Sequence, residues 1–202
     1  MDTSCIMLSC NLSTPIPFCG FFREEDLQGS GIELDSHITL LYAPNNIIDR
    51  HEVLNEIGVS SVSYIKSIVE NETFFNVPDL FELSSFSGET DHVILRLKER
   101  TELFAKLKWV NSKLSEKYKV VSEFGKYKPH LTLAEVKKGT AGKYIQDKAL
   151  EQVIYNSLFQ PEDFVISYGD DKEDNWKMYS ITTNKTVDRF FRIRESLQDS
   201  QV

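Results

Sequence analysis

The sequence predicts an α+β protein with largely antiparallel strands, and three observations carry that expectation. Short β-like runs alternate with helix-like segments but without a strict βαβ rhythm. One long segment has clean helical periodicity. The same short strand pattern also occurs twice, 93 residues apart. The 202 residues, 41% of them hydrophobic, suffice for one sizeable core, so the chain reads as a single domain over residues 1–202.

Taken in order, Ser36 to Ala43 (SHITLLYA) is a compact strand closed by Pro44. Asp49 to Gly58 reads as a short helix with Asp49 as N-cap and Gly58 just past its end. Val62 to Val77, rich in Val, Ile, Phe and Thr, predicts two strands around Asn71. His92 to Leu97 is a further strand. From Glu102 to Tyr118, Leu103, Leu107, Val110 and Leu114 form one apolar stripe with lysines opposite, the mark of an amphipathic helix. Pro129 to Val136 (PHLTLAEV) is again a strand. Tyr144 to Leu158 predicts a helix with Ala149, Val153 and Ile154 inward. Phe164 to Tyr168 and Trp176 to Thr182 read as strands joined across an acidic loop, and Val187 to Leu197 as an amphipathic helix.

Charge narrows the function. The net charge of −8 repels a long polyanion, which argues against general binding of DNA or RNA. No apolar run approaches a membrane span, and Met1 to Gly20 has no basic residue to start a secretory signal. Cys5, Cys10 and Cys19 match no zinc or disulfide framework and read as reduced thiols of a cytoplasmic protein. The charge is uneven, however: residues 1–100 carry a net of −10, whereas 106–148 carry +7. The lysines of 106–119 fit a solvated helix face. Lys126, Lys128, Lys137, Lys138 and Lys143 surround the second copy of the repeated pattern, and such a field suits a small anion.

That pattern is His-x-Thr-Leu, present as His37-Ile38-Thr39-Leu40 and as His130-Leu131-Thr132-Leu133. In a strand, residues i and i+2 share a face, so each copy sets an imidazole beside a hydroxyl while its aliphatic neighbours turn to the core. A polar pair on an apolar strand is costly unless it lines a cleft. Two such strands suggest one shared cleft. One neutral imidazole can take a proton from an attacking hydroxyl and the other, protonated, can give one to a leaving oxygen. The two threonines can donate to the non-bridging oxygens of a phosphodiester. This chemistry needs no metal or other cofactor.

With the wide spacing of the two motifs, the strand and helix order around them, and Lys128-Pro129 leading into the second, the chain resembles the two-histidine (2H) phosphoesterase superfamily. The resemblance extends from about Gly31 to Thr182. It implies a bilobal, pseudo-symmetric fold: two mainly antiparallel sheets flank a central cleft, with helices outside. It also implies that His37 and His130 are the catalytic pair and that Thr39 and Thr132 bind phosphate. Members act on 2′,3′-cyclic phosphates, 2′-5′ linkages, RNA 3′ ends and cyclic oligonucleotide immune signals, the last group including phage anti-CBASS phosphodiesterases. The charge distribution favours a small nucleotide, and the reading leans to a cyclic oligonucleotide signal cleaved by a monomeric enzyme in the cytoplasm, a host's if the chain is phage-encoded. RNA end or 2′-5′ cleavage, and a non-catalytic protein that sequesters a nucleotide, are the rivals. Lys128, Tyr127 and Trp176 are the candidate substrate contacts, the two aromatics as stacking platforms; Phe18, Phe21 and Phe22 are weaker ones.

Other motifs fall away. His51 and His92 lack a hydroxyl at i+2 and read as structural or surface residues. Gly139 to Tyr144 is too short for a phosphate loop, and Asp170 to Asn175 lacks the glycine and glutamate of a calcium loop. Gly29-Ser30-Gly31 reads as a plain turn or a lip before the first motif.

Overall fold

Local chemistry decides where most elements begin and end. In the computed structural model, which describes residues 3–120, 126–169 and 176–187, β1 spans Thr3–Ser13 and is followed by two 3-10 turns, Phe18–Phe21 and Glu24–Asp26. β2 (Leu27–Ile32) and β3 (His37–Ala43) come next, then α1 (Arg50–Ile57) and α2 (Val59–Glu70). β4 (Phe75–Asn76), α3 (Val77–Leu80), β5 (Phe81–Ser87) and β6 (Asp91–Leu97) lead to the long α4 (Glu102–Tyr118). β7 (His130–Val136), α5 (Ala141–Ile145), α6 (Lys148–Tyr155), β8 (Leu158–Gly169) and β9 (Lys177–Ser180) complete the order. Asp49 caps α1 by accepting from the His51 N–H, and Gly58, at φ 80°, ends it. The Thr101 hydroxyl caps α4, whose stripe of Leu103, Leu107, Val110 and Leu114 is wholly buried. No described helix is long and apolar enough to cross a membrane.

The fold is α+β, and among the described residues all nine strands belong to one antiparallel sheet in the order β4-β8-β1-β3-β7-β6-β5, with β2 added on β7 and β9 on β8. Two separate sheets were expected, but the halves are continuous through the β3–β7 seam. That seam is thin, with Ile38 and Leu131 as its one registered pair. The reason lies in β2, which takes up the same edge of β7 farther along, pairing Leu27 with Val136 and Ile32 with Ala134.

The six described helices pack on one face of this sheet. Val53 and Ile57 of α1, Ile65 of α2, Val77 of α3, Leu107 of α4, Tyr144 of α5 and Ile154 of α6 share a core with Ile6, Leu8, Ile38, Leu95, Leu131 and Ile166. The opposite face carries both His-x-Thr pairs, because Ile38, Leu40, Leu131 and Leu133 are buried in that core and strand alternation turns residues 37, 39, 130 and 132 the other way.

Gly29-Ser30-Gly31, expected as a turn or lip, lies within strand β2, and three further local expectations fail for identifiable reasons. The span read as two strands around Asn71 is the helix α2: its buried Ser61, Ile65 and Ile68 lie at helical spacing, and packing against β8 overrides β-branched propensity. Tyr144 to Leu158 breaks into α5 and α6 because Asp147 starts a new helix, accepting from the Ala149 and Leu150 N–H groups. That cap rotates Ala149 outward and puts Leu150 with Val153 and Ile154 inside. Leu158 and the strand from Phe164 belong to one long β8, which tolerates Pro161 because it sits at a register break opposite Cys10. The acidic loop Asp170 to Asn175 and the segment 188–197 lie outside the described residues.

Candidate active site

The two histidines are built into matching positions. Each is the first residue of its strand, and each engages through Nδ1 the main-chain carbonyl two residues earlier: His37 with Asp35 at 2.7 Å, His130 with Lys128 at 2.9 Å. A carbonyl only accepts, so Nδ1 carries the hydrogen in both rings. Nε2 is thereby the working atom of each imidazole, a lone pair when neutral and a donor when charged. Asp35 orients His37 through its main-chain carbonyl.

The seam fixes how the pairs face each other. With Ile38 opposite Leu131 in antiparallel register, His37 stands opposite Thr132 and Thr39 opposite His130. Each imidazole therefore lies across from the other motif's hydroxyl, and all four groups share one face. Among the described residues, neither Nε2 nor either threonine hydroxyl has a hydrogen-bond partner, and none of the four is a buried unsatisfied atom. They stand open toward whatever occupies the face.

His130 is half-buried at the β6–β7 junction. Burial pushes its pKa below the ordinary 6.5; the Lys128 carbonyl pulls it back, and the charges of His92, His37 and Arg96 push it down again. Its neighbours come from β5 and β6. Phe86 stacks on His92 (4.3 Å between centroids, 7° between planes) and meets His130 edge-on at 5.2 Å. Arg96 lies directly opposite His130 in the β6–β7 register, and its guanidinium is 3.6 Å from Glu82.

Farther along β7, Glu135 ties down the lip before the first motif. Its carboxylate accepts from the Ser30 N–H (3.1 Å), the Ser30 hydroxyl and the Thr90 hydroxyl (2.6 Å). Burial pushes its pKa up, but those donors and His92 outweigh that and leave it below the ordinary value. The lip is therefore latched.

The candidate substrate contacts scatter. The Tyr127 phenol donates to the Thr39 carbonyl at 3.0 Å and its ring packs on the main core, so it ties the two motif strands together. Lys128 is exposed beside His130. Trp176 lies against Gly169, where an added Cβ would sit 2.5 Å from its ring, and packs with Cys5, Met7, Val165 and Met178. This is the histidine face, but Gly169 pairs with Thr3, six residues along β1 from Ser9, the partner of His37. That is about 20 Å of strand. Phe22 is buried against Tyr144. Three of the expected cations face carboxylates: Lys126 pairs with Glu99, Lys138 with Asp91 and Lys143 with Asp26. Lys128 and Lys137 remain exposed.

Comparison with protein-family models, with curated proteins and with solved structures found no match for this chain. The site is read from its own geometry.

Among the described residues, no group of three or more His, Cys, Asp or Glu is placed to hold a metal ion. A cavity of about 390 Å³ lies on the helix-covered side, lined by Ile47, Arg50, His51, Tyr168 and Tyr179, away from the histidine pair. Three members of the site were missed from sequence: Phe86, His92 and Arg96. The signal existed in β6, where His92 and Arg96 fall on the strand positions opposite to the core residues Val93, Leu95 and Leu97. Only the sheet order shows that this face continues that of His130.

Proposed function

We propose that this chain is a phosphodiesterase of the two-histidine type, acting on a small nucleotide. The observation that carries the reading is the matched pair of Nδ1-anchored imidazoles, each opposite the other motif's threonine across the β3–β7 seam. We read that seam as the meeting of two pseudo-symmetric lobes, each supplying one motif.

His130 is the base. Burial and the positive neighbours keep it neutral near pH 7, so its Nε2 takes the proton from the attacking water or ribose 2′-hydroxyl. As the new P–O bond forms, the leaving oxygen departs with a proton from Nε2 of His37. Thr39 and Thr132 donate to the non-bridging oxygens, where negative charge accumulates. Each proton carrier contributes roughly 10²- to 10⁴-fold in rate. Tyr127 and the two anchoring carbonyls hold this geometry before substrate arrives.

The test is turnover in excess EDTA of a panel: 2′,3′-cyclic mononucleotides, 2′-5′-linked oligonucleotides, and cyclic di- and trinucleotides. Cleavage of at least one member, with the rate falling as His130 is protonated below pH 6.5, is the expected result. Tight binding without turnover of any member would replace the enzyme reading with a sequestering one.

A further inference from the structure

We infer that Arg96 binds a second phosphate of the substrate, and that the substrate is therefore an oligonucleotide diester, not a 2′,3′-cyclic mononucleotide. The inference rests on the phosphodiesterase reading and extends it to substrate class.

Three observations carry it. Arg96 is registered directly opposite His130, and neighbouring Cα atoms in an antiparallel pair lie about 4.5 to 5.5 Å apart. Its side chain rises from the histidine face, since the flanking Leu95 and Leu97 are buried in the core behind the sheet. Its one ion pair among the described residues is with Glu82 at 3.6 Å, and both side chains are substantially exposed, 39% and 52%. Exposed pairs of this kind contribute little, so the guanidinium is readily recruited. A guanidinium presents five donors in a planar fork that matches phosphate oxygens, and the Glu82 contact uses few of them.

The scale also fits. The next phosphate of an oligonucleotide lies one nucleotide from the reacting one, a span that a long arginine side chain one strand away can cover. Among the described residues, Arg96 is the cation that cross-strand register sets directly opposite His130, and exposed Lys128 flanks the same ring along its own strand. A mononucleotide whose one phosphate sits between the imidazoles offers Arg96 nothing. A cyclic dinucleotide offers it the second diester.

The experiment compares 3′,3′-cyclic di-AMP with 2′,3′-cyclic AMP, in kinetics and in calorimetric binding, for wild type, Arg96→Gln and Arg96→Lys. The expected result is that Arg96→Gln raises KM and Kd for the dinucleotide roughly 10- to 100-fold, the weight of a charge-assisted hydrogen bond. The mononucleotide, which has no second phosphate, loses much less in KM and Kd than the dinucleotide, any change in kcat from the lost charge beside His130 is shared by both substrates, and Arg96→Lys recovers part of the dinucleotide loss. Equal losses in KM and Kd on both substrates would make Arg96 a support for His130 and overturn the proposal. So would unchanged binding of the dinucleotide, or its failure to bind wild type at all. Failure of the phosphodiesterase reading looks different: wild type binds the dinucleotide through Arg96 yet turns over neither compound.

Discussion

The phenol of Tyr127 donates a 3.0 Å hydrogen bond to the main-chain carbonyl of Thr39, joining the approach to one motif to the strand of the other. The bond matters because the strands themselves are joined by so little, a single registered pair at Ile38 and Leu131. Burial pushes the phenol's pKa far up, so it stays a neutral donor at every relevant pH. Tyr127→Phe should cost about 0.5 to 1.5 kcal/mol, the net worth of a part-buried hydrogen bond, and should lower kcat more than it raises KM. Urea unfolding and steady-state kinetics read both. Unchanged stability with a raised KM would instead make the phenol a substrate contact.

Acid sensitivity should begin before the carboxylates titrate. His92 and His130 are held below 6.5 chiefly by burial. Above 6.5 both are neutral in the folded and unfolded chain, and they add no pH dependence. Between 6.5 and their lower folded values the unfolded chain binds protons that the folded one refuses, so stability falls as pH falls through that window. His92→Phe keeps a ring on Phe86 and removes one of the two protons. Urea midpoints from about pH 8 to about pH 5 should therefore slope less steeply in this variant than in wild type. Equal slopes would show that His92 carries no such penalty.

The lip before the first motif should open on changing Gly29. At φ 57° this position is left-handed, and an added Cβ would meet the Glu135 carboxylate at 2.1 Å. Gly31, at φ 71°, shares the backbone strain but has nothing within 4 Å. Gly31→Ala should cost about 1 to 2 kcal/mol from strain alone. Gly29→Ala should cost more, and only it should release the Ser30 amide from Glu135. Hydrogen exchange at Ser30 measures this; equal protection in both variants would contradict the latch.

Gly169 tests what Trp176 does. Gly169→Ala forces the indole off the strand and should cost about 1 to 3 kcal/mol, as overpacking does, while kcat and KM stay near wild type. A marked change in KM with little loss of stability would bring Trp176 to the substrate.

How much was legible follows from the range of each signal. The His-x-Thr pairs, the caps at Asp49 and Gly58 and the stripe of α4 are written in adjacent residues, and all were readable. The helix α2 was not, because Val62, Ile65 and Ile68 look β-prone until β8 lies beneath them. The wing of Phe86, His92 and Arg96 belongs to the site only because β6 pairs with β7, a contact about 35 residues distant in sequence. The lysine cluster misled for the mirror-image reason: Asp26, Asp91 and Glu99, which engage three of its members, come from far upstream.

The most direct measurement is single-turnover cleavage in excess EDTA by wild type, His37→Ala, His130→Ala and the double variant, on whichever diester the panel identifies. Each single substitution should cost roughly 10²- to 10⁴-fold. The double should cost far less than the product of the two losses, because the proton carriers work as a unit. Retention of more than about a tenth of the wild-type rate by either single variant would contradict the two-histidine mechanism.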